Sequence, residues 1–210
     1  MSSQIKSKLI KFYNKYINKK SVIIYPESKL AHKYLDGLEG IEIGGSAHNP
    51  FGLNTLNVDR FRSMDTQFKK EEEELCGKKL RVDIVSPGDD LPLDNKSTDF
   101  IISSHVIEHF FDPIKALNEW GRVARKYIFM VIPHKERTFD KDRPLTSVQE
   151  LIDRHEGKIP FDDGYDHFSV WNTESFLKLC DFLNYNVIEY QDTDDKVGNG
   201  FTIVIQLDEL

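Results

Sequence analysis

Residues 38–59 read LEGIEIGGSAHNPFGLNTLNVD and constrain the fold more than any other stretch. An apolar strand over 40–43 runs into a tight turn at Gly44-Gly45-Ser46. A second apolar run, Leu56-Asn57-Val58, then ends on an acid, Asp59. Strand, glycine turn, strand and terminal acid are the plan of a nucleoside-binding α/β sheet. The glycines let backbone approach the ligand, and the acid accepts hydrogen bonds from ribose hydroxyls. Only eleven residues, 45–55, separate the turn from Leu56, with Pro50 and Gly52 among them. A parallel crossover usually takes a dozen or more residues and a helix. The first crossover helix is therefore expected to be missing or cut to a turn, leaving no helix dipole for a cofactor carboxylate.

The remaining patterning supplies partners for these strands. Ile5, Leu9, Phe12, Tyr13, Tyr16 and Ile17 fall at helical spacing between lysines, and predict an amphipathic helix packed on the sheet edge. Residues 21–25 form a short β-branched run, and 28–35 a short helix. Residues 60–79 predict a solvated helix ending near Gly77, with Glu71 to Glu74 facing water. Strands follow at 80–85, 99–102 and 127–132. Between the last two, Asp112 caps a helix that has Pro113 at its first position. Residues 134–170 lose regular patterning except for a short helix at 148–152. A connection this long is usually functional, such as a substrate loop. Thr173 caps a further helix, and 186–190 with 201–206 form a terminal hairpin. Alternating strands and helices predict one α/β domain over 1–210, with 1–34 as an N-terminal helical segment.

Charge narrows the partners. The net charge is −7, and residues 1–20 carry six lysines and no acid, so the rest is more acidic than the whole. An acidic body repels the phosphates of a nucleic-acid partner. No apolar run reaches the length of a membrane span. Cys76 and Cys180 lie far apart without CxxC spacing, and the first residues lack a signal-peptide core, so a cytoplasmic setting is expected.

The stretch 91–133 adds Leu91-Pro92, Asp99-Phe100, Ser103-Ser104-His105-Val106-Ile107-Glu108-His109, Asp112-Pro113, Ala116-Leu117, Glu119, Arg122-Val123 and Pro133. In this order and spacing the sequence resembles the class I S-adenosylmethionine (SAM) methyltransferases, in particular the group with a short "EH" motif after strand four. The resemblance covers roughly residues 35–206. It implies a Rossmann-like seven-stranded sheet, mostly parallel with an antiparallel C-terminal hairpin and helices on both faces. The implied cofactor is SAM, lying across the carboxyl ends of the first strands. Glu42 and Gly44 match the family's first motif, Gly45 and Ser46 continue its turn, and Asp59 matches the ribose-binding acid. Ser104 and His105 match the segment that passes near the sulfonium. The chain departs from the family at Ser46 and His48, where glycines are usual, and at Arg125-Lys126. It also departs at Pro87, which replaces the usual adenine-side acid, so Asp83 or Asp89 is expected to substitute.

The implied reaction is methyl transfer to a small-molecule or glycan-type acceptor, most naturally at oxygen, as in polysaccharide or natural-product pathways. A hydroxyl acceptor needs a proton acceptor, and histidine titrates in the right range. His105, His109, His134 and His167 fall where the pocket is expected, and His105, His134 and His167 are the candidate bases. His109 also reads as a core histidine, Glu108 as a capping acid and His155 as a surface residue. Asp166 is placed to orient His167. Arg137 and Arg143 can grip an anionic acceptor, and Trp171 can stack on a sugar, although ion pairing and core packing explain them equally. Loop acids Asp140, Asp142, Asp162, Asp163 and Asp166 lack tight ligand spacing, so no metal site is expected. Two other readings remain. A dinucleotide-dependent oxidoreductase fits the turn and Asp59 but lacks GxGxxG, and a non-catalytic SAM-fold binding module fits the degraded turn.

Overall fold

The computed structural model describes residues 26–45, 51–162, 164 and 166–207. The expected amphipathic helix over 5–17, the run at 21–25, Ser46, His48 and Asp163 lie outside the described residues. Helix α1 (Lys29–Leu35) precedes β1 (Gly40–Ile43) and β2 (Thr55–Asp59). Helix α2 (Gln67–Cys76) leads to β3 (Ile84–Val85) and β4 (Thr98–Ser104). Helix α3 (Pro113–Val123) runs directly into β5 (Ala124–Pro133). Helices α4 (Val148–His155) and α5 (Thr173–Phe182) then precede the hairpin β6 (Asn186–Gln191) and β7 (Gly200–Gln206).

The seven strands form one sheet in the order β3-β2-β1-β4-β5-β7-β6. β1 pairs in parallel with β2 and β4, whereas β7 runs antiparallel to β5 and β6. The chain leaves β1 toward one edge and returns at β4 toward the other. That reversal opens a crevice at the carboxyl ends of β1 and β4, where open α/β sheets bind ligands. The register sets Ile43 opposite Val58 and Ser103, so the three carboxyl ends are level.

Central strands are buried on both faces, which explains their continuous apolar runs. Side chains alternate between the faces. Ile101, Ile128, Met130, Ile203 and Ile205 meet Leu117 and Trp120 of α3, Leu151 of α4 and Phe176 and Leu179 of α5. Phe100, Ile102, Phe129, Val131 and Val204 pack under Leu30, Ala31 and Leu35 of α1. Side-chain caps start the helices. Asp112 Oδ1 accepts from Lys115 N at 2.9 Å with Pro113 at the first position, as the sequence indicates. Such a cap contributes about 1 kcal/mol.

Four local expectations change. Strand 80–85 shrinks to Ile84–Val85, because Asn57 Nδ2 donates to Arg81 O and Asp83 Oδ2 accepts from Asn57 N, so side chains replace the ladder. Asn172, not Thr173, caps α5, accepting from Ser175 N at 2.8 Å. The helix at 148–152 extends to His155. Glu72, within the acidic run, is buried against Lys69 Nζ at 3.0 Å. Among the described residues between β1 and β2 there is no helix, consistent with the short crossover.

Candidate active site

The nucleoside end of the crevice is built from three strand ends. After Ile43 the backbone turns at Gly44, with φ at +66°. A Cβ there would lie 2.8 Å from Val106 Cγ2, so backbone and neighbour together demand glycine. Asp59 ends β2 facing the cleft, and its Oδ1 accepts from Phe61 N at 2.8 Å. Ser86-Pro87-Gly88-Asp89 forms the opposite wall, pinned by Trp120 Nε1 donating to Gly88 O at 2.8 Å. Beneath the turn Glu42 is buried, and burial pushes its carboxyl up to about 7 against the pull of Lys196. Lys69 Nζ reaches Glu72 Oε2 and Leu80 O, each at 3.0 Å, and closes this ionic layer.

The other end grows from the turn after β4. His105 takes φ +55°, an uncommon left-handed conformation for a residue with a side chain. A 3₁₀ turn, Ile107–His109, follows and carries Glu108 inward. Glu108 is 0% exposed, and among the described residues neither carboxyl oxygen has a hydrogen-bond partner. Burial raises its carboxyl to about 8. Three rings surround it: His109 Nε2 at 3.7 Å, His167 Nε2 at 3.9 Å and His105 Nδ1 at 4.0 Å, all measured to Oε1. His109 Nδ1 lies 2.7 Å from Asp166 O, and burial holds this ring below the usual imidazole range. His167 Nδ1 lies 2.6 Å from Asp140 Oδ2, and Arg143 bonds both Asp140 Oδ1 and His167 O. Phe111, Phe161 and Phe168 stack edge-on or tilted as an aromatic wall, with Phe139 4.5 Å from the His167 ring. The whole cleft measures about 860 Å³, room for a nucleoside cofactor and a small acceptor together.

Of the residues singled out in the sequence, Gly44, Asp59, Asp89, Ser104, His105 and His167 line this cleft. Glu42 and Gly45 lie beneath the turn, where a Cβ on Gly45 would meet the Glu42 carboxyl at 2.9 Å. Asp83 ties β2 to the β3 approach and Asp89 pairs with Lys115. His134 faces elsewhere: its Nδ1 accepts from Glu136 N, and its Nε2 lies 3.9 Å from Asp192. Arg137 bonds Asp192 and Gly200 O, Arg143 serves Asp140 and His167, and Trp171 is core packed on Phe176. Asp140, rather than Asp166, orients the His167 ring. The sequence reading missed Glu108 as a cluster centre, whereas His109 lies in the cleft as its position after strand four suggested. The adjacent "EH" pair after strand four was the available signal.

The cleft also has a sign. With Glu108 protonated by its burial, Asp59, Glu71, Asp89, Asp112 and Asp166 line it, against the guanidinium of Arg60 among the described residues. Such a field suits the cationic sulfonium of SAM and repels the diphosphate of a dinucleotide. The residues present therefore fit SAM, with Asp59 for the ribose and the Gly44 turn for close backbone approach.

The fold is the Rossmann-like one of methyltransferases. Residues 44–131 match the sequence profile of the family described as "Methyltransferase domain". A search of curated proteins finds no match. Among solved structures, a SAM-dependent methyltransferase from Thermotoga maritima, described as a possible histamine N-methyltransferase, superposes with a TM-score of 0.58 at 16% identity. That alignment covers 99% of this chain and 100% of the other. A SAM-dependent methyltransferase from Aquifex aeolicus gives 0.54 at 16% identity over 96% and 98% of the two chains. One from Methanosarcina mazei gives 0.54 at 14% over 87% and 98%. These likenesses concern the fold. The matched segment, 44–131, is of the methyltransferase type, and the cofactor that such a domain indicates is SAM. Among the described residues no helix is long and apolar enough to cross a membrane.

Proposed function

We propose that the protein transfers the methyl group of SAM to a hydroxyl oxygen of a small-molecule or glycan-type acceptor, with His105 as the proton acceptor. The observation that carries this reading is the ring of histidines around Glu108, facing the cleft just past the carboxyl end of β4. Bound SAM supplies an activated methyl on a positively charged sulfur, and the sulfur keeps the bonding pair when oxygen takes the methyl. The chain's own work is then alignment and proton removal. Asp59 holds the ribose edge, and the 86–89 loop, with Asp89, borders the base. The segment 134–170 contributes the acceptor wall through Phe139, Phe161, His167 and Phe168. His105 takes the hydroxyl proton. The aromatic wall suits the face of a sugar or an aromatic ring.

The test is calorimetric titration with S-adenosylhomocysteine, with NADH as control, repeated on Asp59→Ala. Methyl transfer from labelled SAM to hydroxylated aromatic and sugar acceptors is then measured on parent and His105→Asn. The reading expects saturable homocysteine-nucleoside binding that weakens at least tenfold in Asp59→Ala, and label in a methyl ether. NADH binding alone, or transfer confined to amine acceptors, would overturn it.

A further inference from the structure

We propose that Glu108, His109 and His167 form a site for a divalent transition-metal ion in the acceptor half of the cleft. Its remaining coordination positions open toward hydroxyl oxygens of the acceptor. For the identity of that acceptor the proposal rests on the methyl-transfer reading; for the ion it stands on the cluster itself.

The three residues each offer one ligand atom, and these atoms lie within 4.8 Å of one another. Their partners fix the orientation of the rings. A backbone carbonyl only accepts, so the His109 nitrogen 2.7 Å from Asp166 O is the one that carries hydrogen. The same logic places hydrogen on His167 Nδ1, 2.6 Å from the Asp140 carboxylate. In the neutral rings both Nε2 atoms are then lone-pair acceptors, and both are turned toward a carboxyl that has no donor among the described residues. Three acceptors thus gather within 4.8 Å of one another. At 3.7 and 3.9 Å, a proton on Glu108 is too far away to bridge to either ring. A cation satisfies all three.

Two imidazoles and one carboxylate are a donor set that suits zinc and its first-row neighbours and leaves positions for substrate. Ligand atoms about 2.0–2.1 Å from a tetrahedral ion sit roughly 3.3 Å apart, so side-chain rotation of about half an ångström closes the glutamate–histidine gaps. The surroundings match those of metal-binding histidines, whose far nitrogen donates to a carboxylate or a carbonyl. The two ligand segments are also stapled together, since Phe168 N donates to Glu108 O at 2.8 Å. A neighbouring pair of acceptor hydroxyls would fill two open positions and be held beside the aromatic wall.

The test uses the full chain stripped with a chelator and titrated with Co²⁺, then Zn²⁺, by visible absorption and calorimetry. Circular dichroism on every variant verifies the fold. The expected result is one Co²⁺ per chain with visible d–d absorption, displaced by Zn²⁺. Glu108→Gln and His167→Ala should weaken binding about 100-fold or more. Asp140→Asn, which removes a positioning partner, should weaken it by roughly 10–100-fold. His155→Ala, outside the cluster, should leave it unchanged. If Glu108→Gln fails to fold, Asp140→Asn carries the comparison. No saturable binding, or binding indifferent to Glu108→Gln and Asp140→Asn, would overturn the site. S-adenosylhomocysteine binding is titrated in parallel. Nucleoside binding without metal binding refutes the ion alone, and metal binding without nucleoside binding refutes the cofactor reading alone.

Discussion

Replacing Glu42 with glutamine should make the protein more stable, by an amount that grows with pH. Glu42 sits under the Gly44 turn with 4% exposure, and burial holds its carboxyl near 7 rather than the ordinary 4.5. The folded state therefore binds this proton more tightly than the unfolded chain does. The favourable contribution is present in full below 4.5, and is lost as pH rises toward and through 7. The full gap corresponds to about 3.4 kcal/mol. Glutamine mimics the protonated carboxyl and does not titrate, so the variant escapes the loss. Between pH 5 and pH 8 its advantage over the parent should widen by about 2–3 kcal/mol, which for a chain of this size is roughly 5–10 °C in melting temperature. Thermal melts of both proteins across that range measure the difference directly, because every other titrating group is shared. Parallel curves would show that Lys69 and Lys196 keep Glu42 charged, and the argument from burial would fail.

Two further substitutions probe the site's supports. Gly44→Ala imposes a left-handed alanine, costing about 1–2 kcal/mol, and drives its Cβ to 2.8 Å from Val106. Denaturant unfolding should show that loss and calorimetry a weaker S-adenosylhomocysteine complex, with Val106→Ala in the same chain restoring only the steric part. Asp194→Ala leaves the backbone N–H groups of Lys196, Val197, Gly198 and Gly200 without their carboxylate between β6 and β7. Burial pushes this carboxyl up, but those hydrogen bonds outweigh it and hold it below the usual range. The variant should lose about 3 kcal/mol or more in a thermal melt, with the sheet signal falling first.

Much of the fold was legible because the central strands carry their burial openly. Residues 99–102 and 127–132 are apolar on both faces, and only a covered parallel sheet tolerates that. The edge was less legible. At β3 the Asn57 side-chain amide donates to the Arg81 carbonyl and the Asp83 carboxylate accepts from the Asn57 backbone N–H, which alternation in the sequence does not display. Asn172 and Thr173 are both capping residues, and only the dihedral of Asn172 decides between them. Glu72 looked solvated because its neighbours in the run are, yet Lys69 one turn earlier draws it inward.

The site divides the same way. Gly44, Asp59 and His105 follow directly from strand ends, and strand ends can be read. Asp140 and His167 meet because the chain from the 3₁₀ turn at Phe139–Asp142 through α4 folds back on itself, and no spacing rule encodes that closure. Glu108 and His109 were adjacent in plain view. Their meaning depends on a third residue that tertiary structure alone delivers. Arg137 and Trp171 mislead for the opposite reason, since their chemistry suits a ligand but nearer partners, Asp192 and Phe176, claim them.

The excess of acids around the cleft bears on what leaves it. Methyl transfer discharges sulfur: a cation enters and a neutral thioether remains. A pocket whose field favours the charged form grips the spent cofactor less than the fresh one, so exchange is biased forward after each turnover. The same field weakens as ions screen it. Raising salt should therefore narrow the affinity gap between cofactor and by-product, and make the by-product a relatively stronger competitor.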